Sequence, residues 1–283
     1  MSLSFKFGTV GSPLGTPRNP GGSVGGIRYS ASIGLDALEL AWVNGVRVSE
    51  ASCAAIRQAA KDTGVALSIH APYYINLNSE PDKWSNNRKY LLDAAHFGNL
   101  AGATDIIFHP GTYFGRPADE VLKVVLPRLE GIVDELRQAG NPVTLRPEIS
   151  GKAAMLGSLT DVLEMAKAIP GVLPCIDFAH LHARPGDGSL NSYEEWSARL
   201  DLVGRVLGGE ALKHLHVHLS GIEYGPKGEK NHLPLAESDL DLKGLFRALH
   251  GVGAAGRMLC ESPAMEDDAV YMKGVWQEVS GEK

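Results

Sequence analysis

LHVHLSGIEYGPKGEKNH, residues 215–232, carries His216, His218 and His232 in a chain of 283 residues that has only ten histidines. The alternation Leu215-His216-Val217-His218-Leu219 has the period of two that sends successive side chains to opposite faces of a β-strand. His216 and His218 therefore share one face, and the leucines and the valine share the other. Ser220-Gly221 breaks the run, and the polar loop expected after it brings back Glu229 and His232. A strand that ends in imidazole, followed by a loop returning carboxylate and imidazole, outlines a metal site. Taken alone, a buried histidine pair beside a solvated loop reads the same way. The other strands decide between the two.

Working outward, the same kind of short apolar run recurs at residues 5–10, 37–41, 65–70, 105–109, 143–148, 173–177 and 258–261, which with 215–218 makes eight strand candidates. Several are nearly continuous apolar runs, as parallel strands covered on both faces should be. Amphipathic segments fall between them at 49–63, 84–100, 117–139, 160–168, 192–207, 239–250 and 267–279. The segment at 192 opens Ser-Tyr-Glu-Glu, a capping-box pattern in which Ser192 and Glu195 each satisfy the other's free amide. About eight β–α alternations in this length predict a single (β/α)8 TIM barrel, one domain over residues 1–283. The doubly wound open sheet is the alternative, but no GxGxxG follows the first strand. The Gly/Pro-rich stretch 11–26 reads as the first long βα loop rather than as a linker.

Composition narrows the class. A hydrophobic content of 44% supports a substantial core, and 21% charged residues argue against disorder. The net charge of −6 lacks the basic surplus usual in nucleic-acid binders, an objection that weakens if carboxylates lie beneath bound cations. Cys53, Cys175 and Cys260 are far apart and form no CxxC pair, so neither a disulfide framework nor a thiolate zinc site is expected. The N-terminus shows no signal-peptide pattern, and no apolar run approaches the ~20 residues of a membrane span. A cytoplasmic protein with no membrane partner is the expectation.

The chemistry gathers at the strand ends. The third strand ends in His70, the fourth in His109, the fifth in Glu148, the sixth in Asp177 with His180 three residues on, the seventh in His218 and the eighth in Glu261. Six consecutive strands each deliver a metal-competent side chain at the carboxyl end, where active sites of this fold lie. Buried carboxylates without partners are costly, and cations are the simplest compensation. Imidazole and carboxylate without thiolate suit Zn²⁺ or Mn²⁺. So many ligands exceed what one ion can take, so two or three ions are expected, and clustered ions that activate water point to phosphoester cleavage.

These residues resemble the endonuclease IV family of apurinic/apyrimidinic endonucleases, within the xylose-isomerase-like TIM barrels, as a divergent member. The resemblance rests on His70-Ala-Pro-Tyr73-Tyr-Ile-Asn76-Leu, His109-Pro-Gly111, Pro147-Glu148, Cys175-Ile-Asp177-Phe-Ala-His180, His218-Leu-Ser and Glu261, in the family's order from the third strand to the eighth. It implies three zinc ions. His70 and His109 would hold one, Glu148 would bridge to a second held by Asp177, His218 and Glu261, and His180 with Glu229 and His232 would hold the third. It also implies hydrolysis of double-stranded DNA 5′ to abasic sites, leaving a 3′-hydroxyl. Glu148 or Glu261 would orient the attacking water, Tyr73 would lie near the abasic nucleotide, and the protein would act as a monomer.

The sequence departs from the family in places. Phe178-Ala179 stand where Thr-Cys is common, Leu219-Ser220-Gly221 replace Leu-Asn-Asp-Ser, and the family's Asp-x-His has become Glu229-Lys230-Asn231-His232, one residue wider. Residues 42–47 lack the Gln/Arg-rich character of a DNA-penetrating loop. Arg47, Arg116, Lys152, Arg184, Lys227 and Lys230 all fall on βα loops and are the candidate phosphate contacts. The alternative reading is a divalent-metal sugar or sugar-phosphate isomerase or epimerase of the same superfamily, for which His180, Glu229 and His232 would be superfluous.

Overall fold

In a computed structural model describing residues 4–281, eight parallel strands are laid edge to edge and alternate with helices. In chain order these are β1 (Phe5–Val10), α1 (Gly22–Ser32), β2 (Ala37–Ala41), α2 (Glu50–Thr63), β3 (Ala66–His70), α3 (Pro81–Ala101), β4 (Asp105–Phe108), α4 (Ala118–Gln138), β5 (Thr144–Pro147), α5 (Leu159–Ala168), β6 (Cys175–Asp177), α6 (Phe178–Ala183), α7 (Tyr193–Leu207), β7 (Leu215–Leu219), β8 (Gly221–Gly225), β9 (Gly228–Leu233), α8 (Leu242–Gly251), β10 (Gly256–Cys260) and α9 (Glu266–Ser280). The sheet runs β5-β4-β3-β2-β1-β10-β7-β6. Its two ends meet through the parallel bridges Leu145↔Val172 and Glu148↔Cys175. The fold is a (β/α)8 TIM barrel.

The period of two explains both layers. Outward residues Leu67, Ile69, Ile106 and Leu145 pack against α2–α4 through Ile56, Leu91 and Val125, while Ile176, Val217 and Met258 pack against α7–α9 through Trp196, Leu245 and Met272. Inward residues are polar in layers. At the amino-terminal end Asp105 is held between Arg146 and Arg257, the latter at 3.0 Å. Above it lie Glu39, Ser68 and His216, and at the carboxyl end His70, Glu148, Asp177 and His218.

Three expectations need correction. The stretch 11–26 is not loop throughout: α1 begins at Gly22, because the close approach to neighbouring backbone favours glycine over its poor helix propensity, and a Cβ on Gly25 would lie 2.0 Å from the Pro20 carbonyl. Phe178–Ala183 form a helix, too short and too apolar to show a period. The segment carrying Glu229 and His232 is not an irregular loop but the antiparallel hairpin β8–β9. Its alternation was hidden by a bulge: Tyr224 pairs with Glu229 and Glu223 with Asn231, so Lys230 has no opposite residue. Helix starts also shift: α3 begins at Pro81, in a first-turn position, and α8 after Asp241, whose carboxylate accepts the Gly244 amide at 2.9 Å.

Candidate metal centre

The strands deliver their last inward side chains to one mouth. Glu148 lies at the centre, fully buried, with its two oxygens facing different partners. Oε2 is 3.2 Å from His70 Nε2 and 3.6 Å from His109 Nδ1. Oε1 is 3.2 Å from His218 Nδ1, which is also 3.3 Å from Glu261 Oε1. Asp177 completes the second set: donor atoms of Glu148, Asp177, His218 and Glu261 all lie within 4.8 Å of one another, as do those of His70, His109 and Glu148. A carboxylate shared by two donor groups is placed to bridge two cations.

A third group stands beside them. Asp177 caps α6, its Oδ1 accepting the His180 amide at 2.6 Å, and that turn carries His180 into the mouth. His180 Nε2 lies 3.2 Å from His232 Nε2 and 3.5 Å from Glu229 Oε2. The bulge explains the wider spacing. In a regular strand, residues three apart point to opposite faces, and one unpaired residue restores Glu229 and His232 to the same face. The hairpin docks closely: the Glu229 amide donates to the Gly151 carbonyl at 2.9 Å, and a Cβ on Gly228 would lie 2.2 Å from that oxygen. Gly228 also has φ +91°, a backbone setting that favours glycine.

The residues fit cations. Asp177 Oδ2 is buried without a hydrogen-bond partner. The Nδ1 atoms of His180 and His232 face the Ile149 and Glu261 carbonyls at 2.9 and 3.1 Å, so in neutral rings the two Nε2 atoms, 3.2 Å apart, face each other as lone pairs with no proton between them. Electrostatics point the same way. Burial alone would lower His70 and His180, yet the bond to Glu148 in one case and the Asp177 and Glu148 charges in the other raise both to about 9. Burial drives His109 down to about 4, helped by the neighbouring imidazoles. Burial opposes ionisation of Glu148, but His109 and His218 hold it well below the usual carboxylate range, whereas burial keeps Glu261 raised. Clustered carboxylates of this kind need protons or metal ions, and metal ligation displaces the protons.

The mouth is a cavity of 450 Å³ lined in part by His70, His109, His180, Glu229, His232 and Glu261. Tyr73 is 60% exposed at its edge, its ring stacked on His109 at 5.9 Å. Among the basic candidates, Arg47, Lys152 and Lys227 are exposed. Arg116 bonds to the Asn78 side chain, and Lys230 pairs with Glu223 at 3.0 Å. Arg184 differs: its guanidinium donates to the carbonyls of Ser150, Lys152 and Met155 at 2.8, 2.7 and 3.0 Å, so it braces the 150–155 loop rather than offering a free cation. Glu39, absent from the candidate ligands expected at the strand ends, is buried beneath the cluster and lies 2.8 Å from His216 Nε2. The available signal was a lone carboxylate between leucines in Ala-Leu-Glu-Leu-Ala, a costly choice for an apolar strand.

A (β/α)8 barrel with donor-rich strand ends defines a class of barrels that carries enzymes, here with candidate metal-ligand groups at its mouth. The profile of xylose isomerase-like TIM barrels matches residues 27–278, and the chain belongs to that family. It is 36% identical over 96% of its length, and 97% of the relative's, to an uncharacterised protein of Methanocaldococcus jannaschii. It is 26% identical to a probable endonuclease 4 of Shouchella clausii over 65% of this chain and 62% of that one. Among solved structures it shares its fold with endonuclease IV from Thermus thermophilus, TM-score 0.72 at 20% identity over 97% of this chain and 100% of that one. It shares it as well with a D-tagatose 3-epimerase-like protein, TM-score 0.70 at 18% identity over 98% and 99%. Among the described residues no helix is long and apolar enough to cross a membrane.

Proposed function

We propose that the chain is a metal-dependent DNA-repair endonuclease that hydrolyses the phosphodiester 5′ to abasic sites in double-stranded DNA and leaves a 3′-hydroxyl. The observation that carries this reading is the third donor group, His180–Glu229–His232, beside the two that share Glu148. A sugar isomerase or epimerase has no use for it, and the likeness to proteins named endonuclease 4 agrees.

His70, His109 and Glu148 would hold one ion, Glu148, Asp177, His218 and Glu261 a second, and His180, Glu229 and His232 a third, as zinc or manganese. Bound cations would supply Lewis acidity toward the phosphate and lower the pKa of water. The chain's own groups do the rest. Glu148 and Glu261 flank the reacting centre and orient the attacking water. Tyr73 offers a flat face beside the deoxyribose, and Arg47, Arg116, Lys152, Lys227 and Lys230 meet phosphates around the rim. Arg184 keeps the 150–155 loop in place beneath them. One barrel applied mouth-first to a duplex suffices, so a monomeric single domain in the cytoplasm is proposed.

The second reading, a sugar epimerase, is favoured by one fact: Glu148, Asp177, His218 and Glu261 would suffice for a single ion. Purified protein distinguishes them. Metal analysis is expected to find two to three zinc or manganese ions per chain, and a duplex with one abasic analogue should be nicked on its 5′ side. Glu261→Gln should lower nicking by at least ~100-fold while the protein stays folded. One ion per chain, an intact duplex and turnover of a ketose would overturn the proposal.

A further inference from the structure

Beneath the donor groups the barrel interior holds a second polar layer that the proposed reaction does not use. Glu39, in the middle of β2, is wholly buried between Leu38 and Leu40, and it is neither at the mouth nor near solvent. Its Oε2 accepts from the Ser68 hydroxyl and from His216 Nε2, each at 2.8 Å. Its Oε1 lies 3.1 Å from His218 Nε2, and in the present orientation neither atom has a hydrogen-bond partner. The opposite nitrogen of the same ring, His218 Nδ1, faces Glu148 and Glu261 at 3.2 and 3.3 Å.

This arrangement has a chemical consequence. A neutral imidazole that presents the Nδ1 lone pair to a cation carries its proton on Nε2, and a buried N–H requires an acceptor. The nearest carboxylate oxygen to that nitrogen is Glu39 Oε1, whose other oxygen is already clamped by Ser68 and His216. A purely structural explanation of Glu39 is weak. A carboxylate buried in an apolar strand carries a large desolvation cost, and replacing such a network with well-packed apolar side chains is often neutral or stabilising. We propose that Glu39 is a positioning residue for His218. It holds the proton on Nε2 and fixes the ring plane, so that Nδ1 is offered to the ion shared with Glu148, Asp177 and Glu261. Ser68 and His216 hold Glu39 in turn, so the chain runs from β2 through β3 and β7 to the mouth. Carboxylates that support a metal-bound histidine in this way typically contribute 10- to 100-fold in metal affinity.

The inference rests on the reading of His218 as a ligand, and the experiment separates the two. Zinc affinity and stoichiometry are measured on the full chain by competition with a chromogenic chelator. The His218 tautomer is read from its ring ¹⁵N shifts in the zinc-loaded protein. Glu39→Gln is expected to weaken one zinc by about 10- to 100-fold and to disturb the His218 ring shifts, while the ion at His180–Glu229–His232 keeps its affinity. Ser68→Ala, a smaller change if Glu39→Gln fails to fold, should weaken the same ion by several-fold. Glu39→Asp should recover part of the loss. Wild-type affinity and unchanged ring shifts in Glu39→Gln, or in Ser68→Ala if only that variant folds, would overturn the proposal, even with a lowered melting temperature. If His218→Ala itself leaves zinc stoichiometry and affinity unchanged, it is the assignment of His218 as a ligand that fails.

Discussion

Asp105 shows how one buried charge sets a pH dependence. Burial opposes its ionisation, but Arg146 and Arg257 overcome that and hold its carboxyl well below the usual range. A depressed folded-state pKa means stability that is fully present above the unfolded value of about 3.9 and lost as pH falls toward the folded value. Asp105→Asn should therefore cost about 3–5 kcal/mol at pH 7, because two buried guanidiniums lose their partner. The gap from wild type should narrow by up to about 1.4 kcal/mol per pH unit below pH 4. Urea denaturation at pH 7 and at pH 3 measures both, and a gap independent of pH would refute the assignment. At the same scale, His70, His109, Glu148, Asp177, His218 and Glu261 were legible because each sits at the end of an apolar run. Glu39 was not, because its role depends on which nitrogen of a histidine on a strand far away in sequence it faces.

The hairpin β8–β9 carries the element-scale argument. Sequence alone showed Glu229 and His232 one residue further apart than the Asp-x-His of the family it resembles. The unpaired Lys230 turns that apparent misfit into an alignment of the two side chains. Deleting Lys230 should regularise β9, leave Glu229 and His232 two apart on one face, and keep the zinc affinity of the third group within a few-fold. Inserting an alanine after Lys230 should remove one ion per chain, because the two side chains turn apart if the bulge is kept and lie about 13 Å apart along one face if the strand becomes regular. Metal stoichiometry tests both, and an insertion that retains every ion would discard this account. Two strands along the sheet from β7, Gly8 lets β1 run against β2: a Cβ there would lie 1.9 Å from the Ala37 carbonyl oxygen. Gly8→Ala should cost about 1–3 kcal/mol in chemical denaturation; a neutral result would show that the strands can part.

For the whole molecule, the closed barrel concentrates anionic groups where the chain needs them occupied. Glu39, Glu148, Asp177 and Glu261 share one interior, so cations that bind only the folded chain should stabilise it by mass action, by about 4 kcal/mol at a free concentration 1,000 times Kd. Removing them with a chelator should lower Tm reversibly, and a Tm indifferent to chelation and to added zinc would count against the metal centre. The eight runs with apolar outer faces, and the polar residue closing most of them, were written in the sequence. They dictated strands, their alternation with helices, and hence the barrel, because a period of two and buried apolar faces are local properties. Tertiary structure alone decided three things: the placing of Glu39 beneath His218, the bulge that aligns Glu229 with His232, and the engagement of Arg184 with a loop rather than with solvent. The first and last depend on atoms brought together from tens of residues or more apart and the bulge on which residue of β9 goes unpaired, and neither spacing nor composition encodes such details.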